Sequence, residues 1–165
     1  MVRKSKKLLE SFDEAYDFAL DRLSVRDYSA KDMEGKLRER SCPSALIPQV
    51  IAKLLEYKFI DEERYGQRVY EYWLSKKFYG RQHLRMTLMK KKVPTELISG
   101  LVKQLTYEEE AKRAGAYTDG NLPKLRKKYG AETQKILGAV ARGLSSRGFG
   151  TEIISAMLER IKSAD

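Results

Sequence analysis

Two short segments decide the fold: Thr95-Glu96-Leu97-Ile98-Ser99 and, 56 positions later, Thr151-Glu152-Ile153-Ile154-Ser155. A third copy lies 51 positions before the first of these, at Ser44-Ala45-Leu46-Ile47-Pro48. Apolar residues on both sides of each copy stay in the same register. Three segments in register indicate an internal repeat, which is typical of proteins that stack copies of one small unit.

Each copy of the repeat predicts three helices, because apolar residues recur at helical spacing in three blocks. In the first copy, Ser11 with Glu14 predicts the start of the first helix, and Ser29 with Asp32 predicts the start of the second. Ser44 is predicted to cap the third helix of that copy. In the third copy, Thr106 with Glu109 predicts the start of the first helix. We therefore predict an all-helical protein with three tandem three-helix repeats, each resembling a helix-turn-helix, in an elongated and curved array.

The register also predicts the boundaries of the repeats. In the third repeat, Gly115, Gly120 and Pro123 interrupt the helical pattern of the first helix and account for the five-residue longer spacing. Repeats of this size are close to the lower limit of independent folding, so each should lean on its neighbour. The predicted segments are a basic N-terminal tail at residues 1–10, then repeats at residues 11–60, 61–106 and 107–165.

The single cysteine, Cys42, cannot form an intrachain disulfide, which agrees with a reducing compartment. The register pairs it with Val93 and Phe149, so we expect a buried turn position rather than a reactive thiol. The sequence has no apolar run long enough for a membrane helix and no secretory signal. We therefore expect a cytoplasmic protein with no membrane partner.

Positive charge is concentrated in the middle and C-terminal parts of the chain. The formal net charge is +10, and residues 76–92 contain seven Lys or Arg and no acid. Residues 120–131 contain four Lys or Arg and no acid. Such runs either form a solvated helix face or attract phosphate backbones and acidic protein surfaces.

Catalysis is poorly supported by the residues present. The chain has one histidine, His83, which we expect to be partly exposed, and it has no glycine-rich phosphate loop or nucleophile with an evident base. Acidic triplets at residues 61–63 and 108–110 each open a predicted helix, where the helix dipole explains them. We expect a binding protein and not an enzyme, with no cofactor, no metal and no small-molecule substrate.

Sequence-specific DNA reading by a helix-turn-helix is a further possibility to weigh. A recognition helix carries Arg, Lys, Asn or Gln near its start. Here the third helices begin with Ala45-Leu46-Ile47, or with Glu96 or Glu152, and an early glutamate would face the phosphates. The sequence therefore disfavours recognition of DNA bases. Binding of the DNA phosphate backbone through the second helices remains open.

Four motifs give the chain a family resemblance over about residues 12–163. Their order and spacing on a triple three-helix repeat are similar to those of the RecX family of recombinase regulators. The resemblance implies a protein that binds the RecA filament along its groove and inhibits its ATPase and strand exchange, in recombination and DNA repair. The motifs are Leu20-Asp21-Arg22-Leu23 with Arg26 and Ser29, Ile60-Asp61-Glu62-Glu63-Arg64-Tyr65, Gly80-Arg81 with Leu84, Leu88, Lys92 and Val93, and Arg147-Gly148-Phe149.

Basic residues on or after the second helices are our candidates for the binding surface. The expected partners are the RecA filament and single- and double-stranded DNA, contacted through the phosphate backbone. Two alternatives remain open: a general nucleic-acid-binding helical module without a recombinase partner, and an adaptor for an unrelated acidic protein. The candidate residues are Arg26, Arg81, Arg85, Lys91, Lys92, Arg142 and Arg147.

Overall fold

The described part of the chain is entirely helical. The computed structural model describes residues 8–164, and within them it contains nine helices and no strand. This confirms the predicted all-helical fold. Residues 1–7 of the predicted basic tail lie outside the described residues. None of the helices in residues 8–164 is long and apolar enough to cross a membrane. The helices are α1 Phe12–Val25, α2 Ala30–Arg38, α3 Ile47–Glu56, α4 Glu62–Leu74, α5 Arg81–Lys90, α6 Thr95–Gln104, α7 Tyr107–Tyr129, α8 Thr133–Ser146 and α9 Thr151–Ala164.

Side-chain caps start several helices at the predicted residues. Ser11 and Ser29 each accept a hydrogen bond from the backbone N–H three residues further on, at 3.2 and 3.1 Å. Thr106 and Glu109 form a reciprocal capping box at the start of α7. These contacts satisfy backbone donors that have no partner inside the helix, and they confirm three predicted helix starts.

The prediction that Ser44 caps α3 is wrong. Helix α3 begins at Ile47, with Leu46 at the capping position, and Ser44 lies in the turn before it. Pro48 accounts for the shift. Its fixed φ and missing N–H suit the first turn of a helix, where that donor would have no partner in any case.

The first helix of the third repeat forms although its sequence pattern is interrupted. Helix α7 runs without interruption through Gly115, Gly120 and Pro123. An internal proline costs about 3 kcal/mol, which packing has to offset. One face of α7, including Ala114 and Thr118, is fully buried, and the helix packs on both α8 and α9. Tertiary packing therefore outweighs the local sequence preference.

The turn after the second helix of each repeat has the same conformation. Cys42, Val93 and Phe149 are all buried, which confirms the prediction for Cys42. The residue directly before each of them has a positive φ, of 55°, 57° and 76° respectively. In two turns the N–H of the buried residue donates to a carbonyl five residues back, Cys42 to Leu37 at 3.1 Å and Phe149 to Leu144 at 3.2 Å. This is the left-handed ending of a Schellman motif.

A second contact recurs between consecutive repeats. A glutamate from the first helix of the following repeat accepts a hydrogen bond from the first residue of the preceding second helix. Glu62 accepts from the N–H of Ala30 at 3.0 Å, and Glu110 from that of Arg81 at 2.8 Å. The two donors are 51 positions apart, which is the spacing of the repeat. The carboxylates favour these helix N-termini because they complement the helix dipole.

The chain divides into two compact units. The first comprises the described residues up to Arg68 together with Lys91–Pro94, and its core lies among α1, α2 and α3. The second comprises Val69–Lys90 and the described residues from Thr95 onward, with a core among α7, α8 and α9. The residues with no exposed surface in the first core are Ala15, Ala19, Met33, Leu37, Val50 and Leu54.

Candidate nucleic-acid interface

Four basic side chains surround two aspartates in the first unit. Arg64 and Arg68, one turn apart on α4, both contact the carboxylate of Asp27, and the Arg64 Nη2 to Asp27 Oδ1 distance is 3.4 Å. Because residues four apart on a helix share a face, both guanidinium groups reach the same partner. We define the basic cluster by six residues: Arg26, Asp27, Asp32, Arg64, Arg68 and Lys92.

Asp32 holds the other half of the basic cluster. It pairs with Arg26 (Nη2 to Oδ2, 3.5 Å) and with Lys92 (Nζ to Oδ1, 3.2 Å). Arg26 also donates to the backbone carbonyl of Asp27 at 3.3 Å, so the two halves form one network. The structure thus brings together Arg26 and Lys92, two of the predicted candidates that are 66 residues apart in the sequence.

The turn between α1 and α2 positions Arg26. This residue ends α1 in an extended conformation, and its guanidinium lies over the ring of Tyr28, 3.7 Å from the centroid. A cation over an aromatic face is attracted by the ring quadrupole. Tyr28 is buried and Ser29 caps α2, so the platform under Arg26 is part of the folded core.

A second tyrosine supports the Lys91–Lys92 turn. The hydroxyl of Tyr65 donates to the carbonyl of Lys91 at 2.9 Å. Burial raises the pKa of Tyr65, the charges of Asp32 and Asp27 raise it further, and Arg26 opposes them. Tyr65 therefore stays protonated and keeps its hydrogen bond over the physiological range. Lys92 has a φ of 57°, a conformation that the turn maintains.

Positive charge exceeds negative charge in the basic cluster by two. Its four cations keep between 42% and 63% of their side chains exposed, whereas the two aspartates keep 21% and 22%. Asp61 approaches Arg64 at 3.8 Å and caps α4 by accepting the N–H of Arg64 at 2.9 Å, and when its carboxylate is counted the surplus is one positive charge. An exposed group of arginines with surplus charge suits phosphate, which arginine binds in a bidentate manner.

In the second unit, the N-terminus of α5 is fastened to the turn between α8 and α9. Gly80 donates to the carbonyl of Arg147 at 3.0 Å, and Gln82 to that of Gly148 at 2.9 Å. A Cβ on Gly80 would lie 2.6 Å from the Gly148 carbonyl oxygen, and one on Gly148 would lie 2.4 Å from the His83 nitrogen. Only glycine allows this close approach of the two backbones.

The side chain of Arg81, the first residue of α5, contacts the segment between α6 and α7 and the first turn of α7. Its Nη2 donates to the carbonyl of Leu105 at 2.7 Å, and its Nε lies 3.6 Å from the buried carboxylate of Glu110. The Arg81 side chain is therefore engaged within the fold, although 39% of it remains exposed, and its role in binding stays a prediction. Arg147 is in a similar position. Its guanidinium lies over the ring of Tyr117, 4.4 Å from the centroid, and the residue is half-buried.

The remaining candidates are exposed. Arg85 lies on α5, Lys91 follows that helix, and Arg142 lies on α8. Of these, Lys91 is next to the basic cluster, since its carbonyl accepts from Tyr65. Arg85 and Arg142 belong to the second unit, and no hydrogen bond or ion pair engages either side chain among the described residues.

Sequence reasoning missed Arg64 and Arg68. The available signal was their four-residue spacing on a predicted helix, directly after the acidic triplet at residues 61–63. Their partner, Asp27, lies 37 and 41 positions away, so no local pattern links them. Arg64 belongs to the family motif at residues 60–65, but that motif does not indicate which of its side chains is exposed.

His83 is partly exposed, as predicted, but it has a definite structural role. Its Nδ1 accepts a hydrogen bond from the indole N–H of Trp73 at 2.9 Å, and its ring lies 4.1 Å from that of Tyr79. Burial lowers the pKa of His83, and the charge of Lys76 lowers it further. In the described residues, no group of three or more His, Cys, Asp or Glu side chains is arranged to hold a metal ion.

The fold and the basic cluster define a helical-repeat protein that carries an exposed group of charged side chains in its first unit. Residues 15–54 match the family model described as RecX, first three-helix domain. The Regulatory protein RecX of Chlorobium limicola is 26% identical over 151 residues, which cover 92% of this chain and 91% of that protein. The Regulatory protein RecX of Bacillus subtilis is 23% identical over 147 residues, covering 89% of this chain and 54% of the relative.

Solved structures agree on the fold. The crystal structure of RecX from Lactobacillus salivarius superposes with a TM-score of 0.79 at 19% identity, covering 92% of this chain and 96% of that one. A second crystal structure, of regulatory protein RecX, gives a TM-score of 0.75 at 23% identity, covering 90% and 73%. Together, the matches confirm the predicted resemblance to the RecX family. They support a regulatory role, and the chain spans about half the length of the Bacillus relative.

Proposed function

We propose that the chain binds the RecA recombinase filament and the DNA within it, and inhibits its ATPase and strand-exchange activity. The recombinase partner follows from the resemblance to the RecX family. The DNA contact rests on one observation, the exposed surplus of positive charge in the basic cluster. Both parts describe a regulator that acts by binding and not by catalysis.

Binding to the phosphate backbone of DNA fits the basic cluster better than sequence-specific recognition of bases. At the start of α3, Ile47 is buried and Pro48 has no donor, and the amide of the exposed Gln49 donates to the carbonyl of Ala45 at 3.0 Å. The first turn of that helix therefore offers no arginine, lysine or free amide for reading base edges. The exposed cations are instead carried by α4 and by the turns after α1 and α5. Contacts of this kind neutralise phosphates, release counterions and depend strongly on salt.

The test is the binding of the labelled chain to RecA filaments on single-stranded DNA, formed with a slowly hydrolysed ATP analogue. Arg68→Glu reverses an exposed charge of the basic cluster, and Lys103→Glu makes the same charge change at an exposed position on α6. We expect Arg68→Glu to weaken binding to bare DNA and to filaments about tenfold, and Lys103→Glu to change it less than twofold.

Two other results would lead to other conclusions. Tight binding to DNA with no preference for filaments over bare DNA would favour the general nucleic-acid-binding module. Equal losses for Arg68→Glu and Lys103→Glu would mean that net charge alone drives binding, and that the basic cluster is not a site.

A further inference from the structure

A preformed pocket in the second unit has no part in the proposed DNA contact. It has a volume of about 330 Å³ and lies among the end of α4, Leu105 in the link between α6 and α7, and the first turns of α7. That volume is at the small end of the range for ligand pockets. Its lining residues are Leu74, Lys77, Leu105, Glu109, Lys112, Arg113 and Ala116.

The walls of the pocket are fixed by Arg113. Its guanidinium donates to the carbonyls of Leu74 at 2.9 Å and Lys76 at 2.5 Å, and it lies 4.8 Å from the centroid of the Trp73 ring. These bonds satisfy the carbonyls that the end of α4 leaves without partners. Helix α7 is therefore held against the end of α4, and the pocket between them is part of the fold.

The pocket is aliphatic inside and basic at its rim. Leu105 is fully buried and forms the floor, while Leu74 keeps 36% of its surface exposed. At the rim, Lys77 and Lys112 are exposed and have no hydrogen bond or ion pair in the described residues. The only carboxylate in the lining, Glu109, is engaged in the capping box with Thr106, at 3.0 and 3.2 Å.

This chemistry distinguishes between classes of occupant. A nucleic-acid base binds by stacking on aromatic rings, and no aromatic side chain lines the pocket. A large aliphatic side chain would fill the floor, as anchor residues do at protein interfaces. The two free lysines at the rim would attract carboxylates on either side of such an anchor.

We propose that this pocket is a docking site for a partner protein, and that it binds one large apolar side chain flanked by acidic residues. The proposal rests on the proposed function only in taking the recombinase filament as the natural source of that segment. It adds a protein contact in the second unit that is independent of the basic cluster.

A defined peptide tests the pocket directly. The probe is a fluorescein-labelled peptide with one leucine between two pairs of glutamates, and its control has serine in place of leucine. We expect the leucine peptide to bind the full chain at least about tenfold more tightly, because burial of a leucine side chain contributes that much affinity. Equal binding of the two peptides would overturn the proposal.

Variants of the chain provide a second comparison. Ala116→Trp fills the pocket from an exposed position of α7, and Lys112→Glu reverses a rim charge. Lys124→Glu is the matched control, since it makes the same change at an exposed site further along α7. We expect Ala116→Trp and Lys112→Glu to weaken the leucine peptide at least fivefold, and Lys124→Glu less than twofold.

The filament assay separates the two proposals. If wild-type chain binds filaments and Ala116→Trp binds them equally, the pocket is not the docking site, and the proposed function stands. If wild-type chain does not bind filaments, the proposed function fails, and the peptide comparison still decides the pocket. If the wild-type chain self-associates and Ala116→Trp does not, a second copy of the chain occupies the pocket, and the proposal is overturned. If an oligonucleotide displaces the leucine peptide from the wild-type chain, nucleic acid occupies the pocket, and the proposal is likewise overturned.

Discussion

The carboxylate of Glu110 is buried and accepts a hydrogen bond from the backbone N–H of Arg81 at 2.8 Å. Its other oxygen lies 3.6 Å from the guanidinium Nε of the same residue. One side chain of α7 therefore caps α5 and balances the charge at the first residue of that helix. A buried carboxylate is stable only with such partners.

Glu110→Ala should destabilise the chain by about 1–3 kcal/mol, because it leaves the N–H of Arg81 without a partner inside the fold. Urea denaturation monitored by circular dichroism measures the change. The control is Glu108→Ala, an exposed acid in the same turn of α7, which should cost about 0.5 kcal/mol or less. Similar losses for both variants would show that the cap contributes nothing beyond the helix dipole.

Gly148→Ala should cost about 2 kcal/mol or more. The residue has a φ of 76°, and its new Cβ would lie 2.4 Å from the nitrogen of His83. Left-handed backbone alone costs a residue with a Cβ about 1–2 kcal/mol. Gly100 on α6 is the matched control, since a Cβ there meets nothing within 4 Å. Gly100→Ala should raise the free energy of unfolding by about 0.5–1 kcal/mol, and a loss there would contradict the account.

Lys92→Gly should weaken DNA binding without weakening the fold. Lys92 has a φ of 57°, so glycine relieves backbone strain while it removes one cation of the basic cluster. The slope of log affinity for single-stranded DNA against log salt should fall by about 0.7. Lys58→Gly removes an exposed cation from another left-handed position, with a φ of 58°, and should leave that slope unchanged. Equal slopes for the two variants would exclude Lys92 from the contact.

Stability should fall as pH decreases below the ordinary histidine pKa of about 6.5. The pKa of His83 is lowered in the folded chain, so the unfolded chain binds more protons in that range and acid favours unfolding. Protonation also puts a proton on Nδ1, which accepts from Trp73. The fluorescence of Trp73, the only tryptophan, reports the urea midpoint.

His83→Asn supplies the control for that measurement. The asparagine side-chain oxygen can accept from the indole N–H, but it does not titrate. Because His83 is the only histidine, the variant should keep the same midpoint from pH 7 to pH 5.5. A midpoint that falls equally in both proteins would assign the pH dependence to carboxylates.

The repeat was predictable because its signal is local and recurs. Cys42, Val93 and Phe149 could be aligned from register alone, and all three are buried in the predicted turn. Three cap positions were predictable for the same reason, since Ser, Thr and Glu act within one helical turn. The continuity of α7 was not predictable, because packing on α8 and α9 outweighs the tendency of Pro123 to break a helix.

The candidate site was harder to predict because its contacts are distant in sequence. Arg81 and Arg85 look alike in a helix pattern, but only Arg81 meets Leu105 and Glu110, which are 24 and 29 positions away. The placement of Arg26 on or after a second helix is wrong, because it ends α1 and precedes α2. Its pairing with Asp32 and its stacking on Tyr28 required the fold.

The most direct test of the proposed function is the rate of single-stranded-DNA-dependent ATP hydrolysis by RecA from the same source, with this chain added in substoichiometric amounts. DNA is kept in excess, so that simple competition for it has no effect. We predict a steep fall in the rate at low ratios of chain to RecA, and a shallower fall with Arg68→Glu. An unchanged rate with folded wild-type chain would contradict the proposal that the chain inhibits the recombinase.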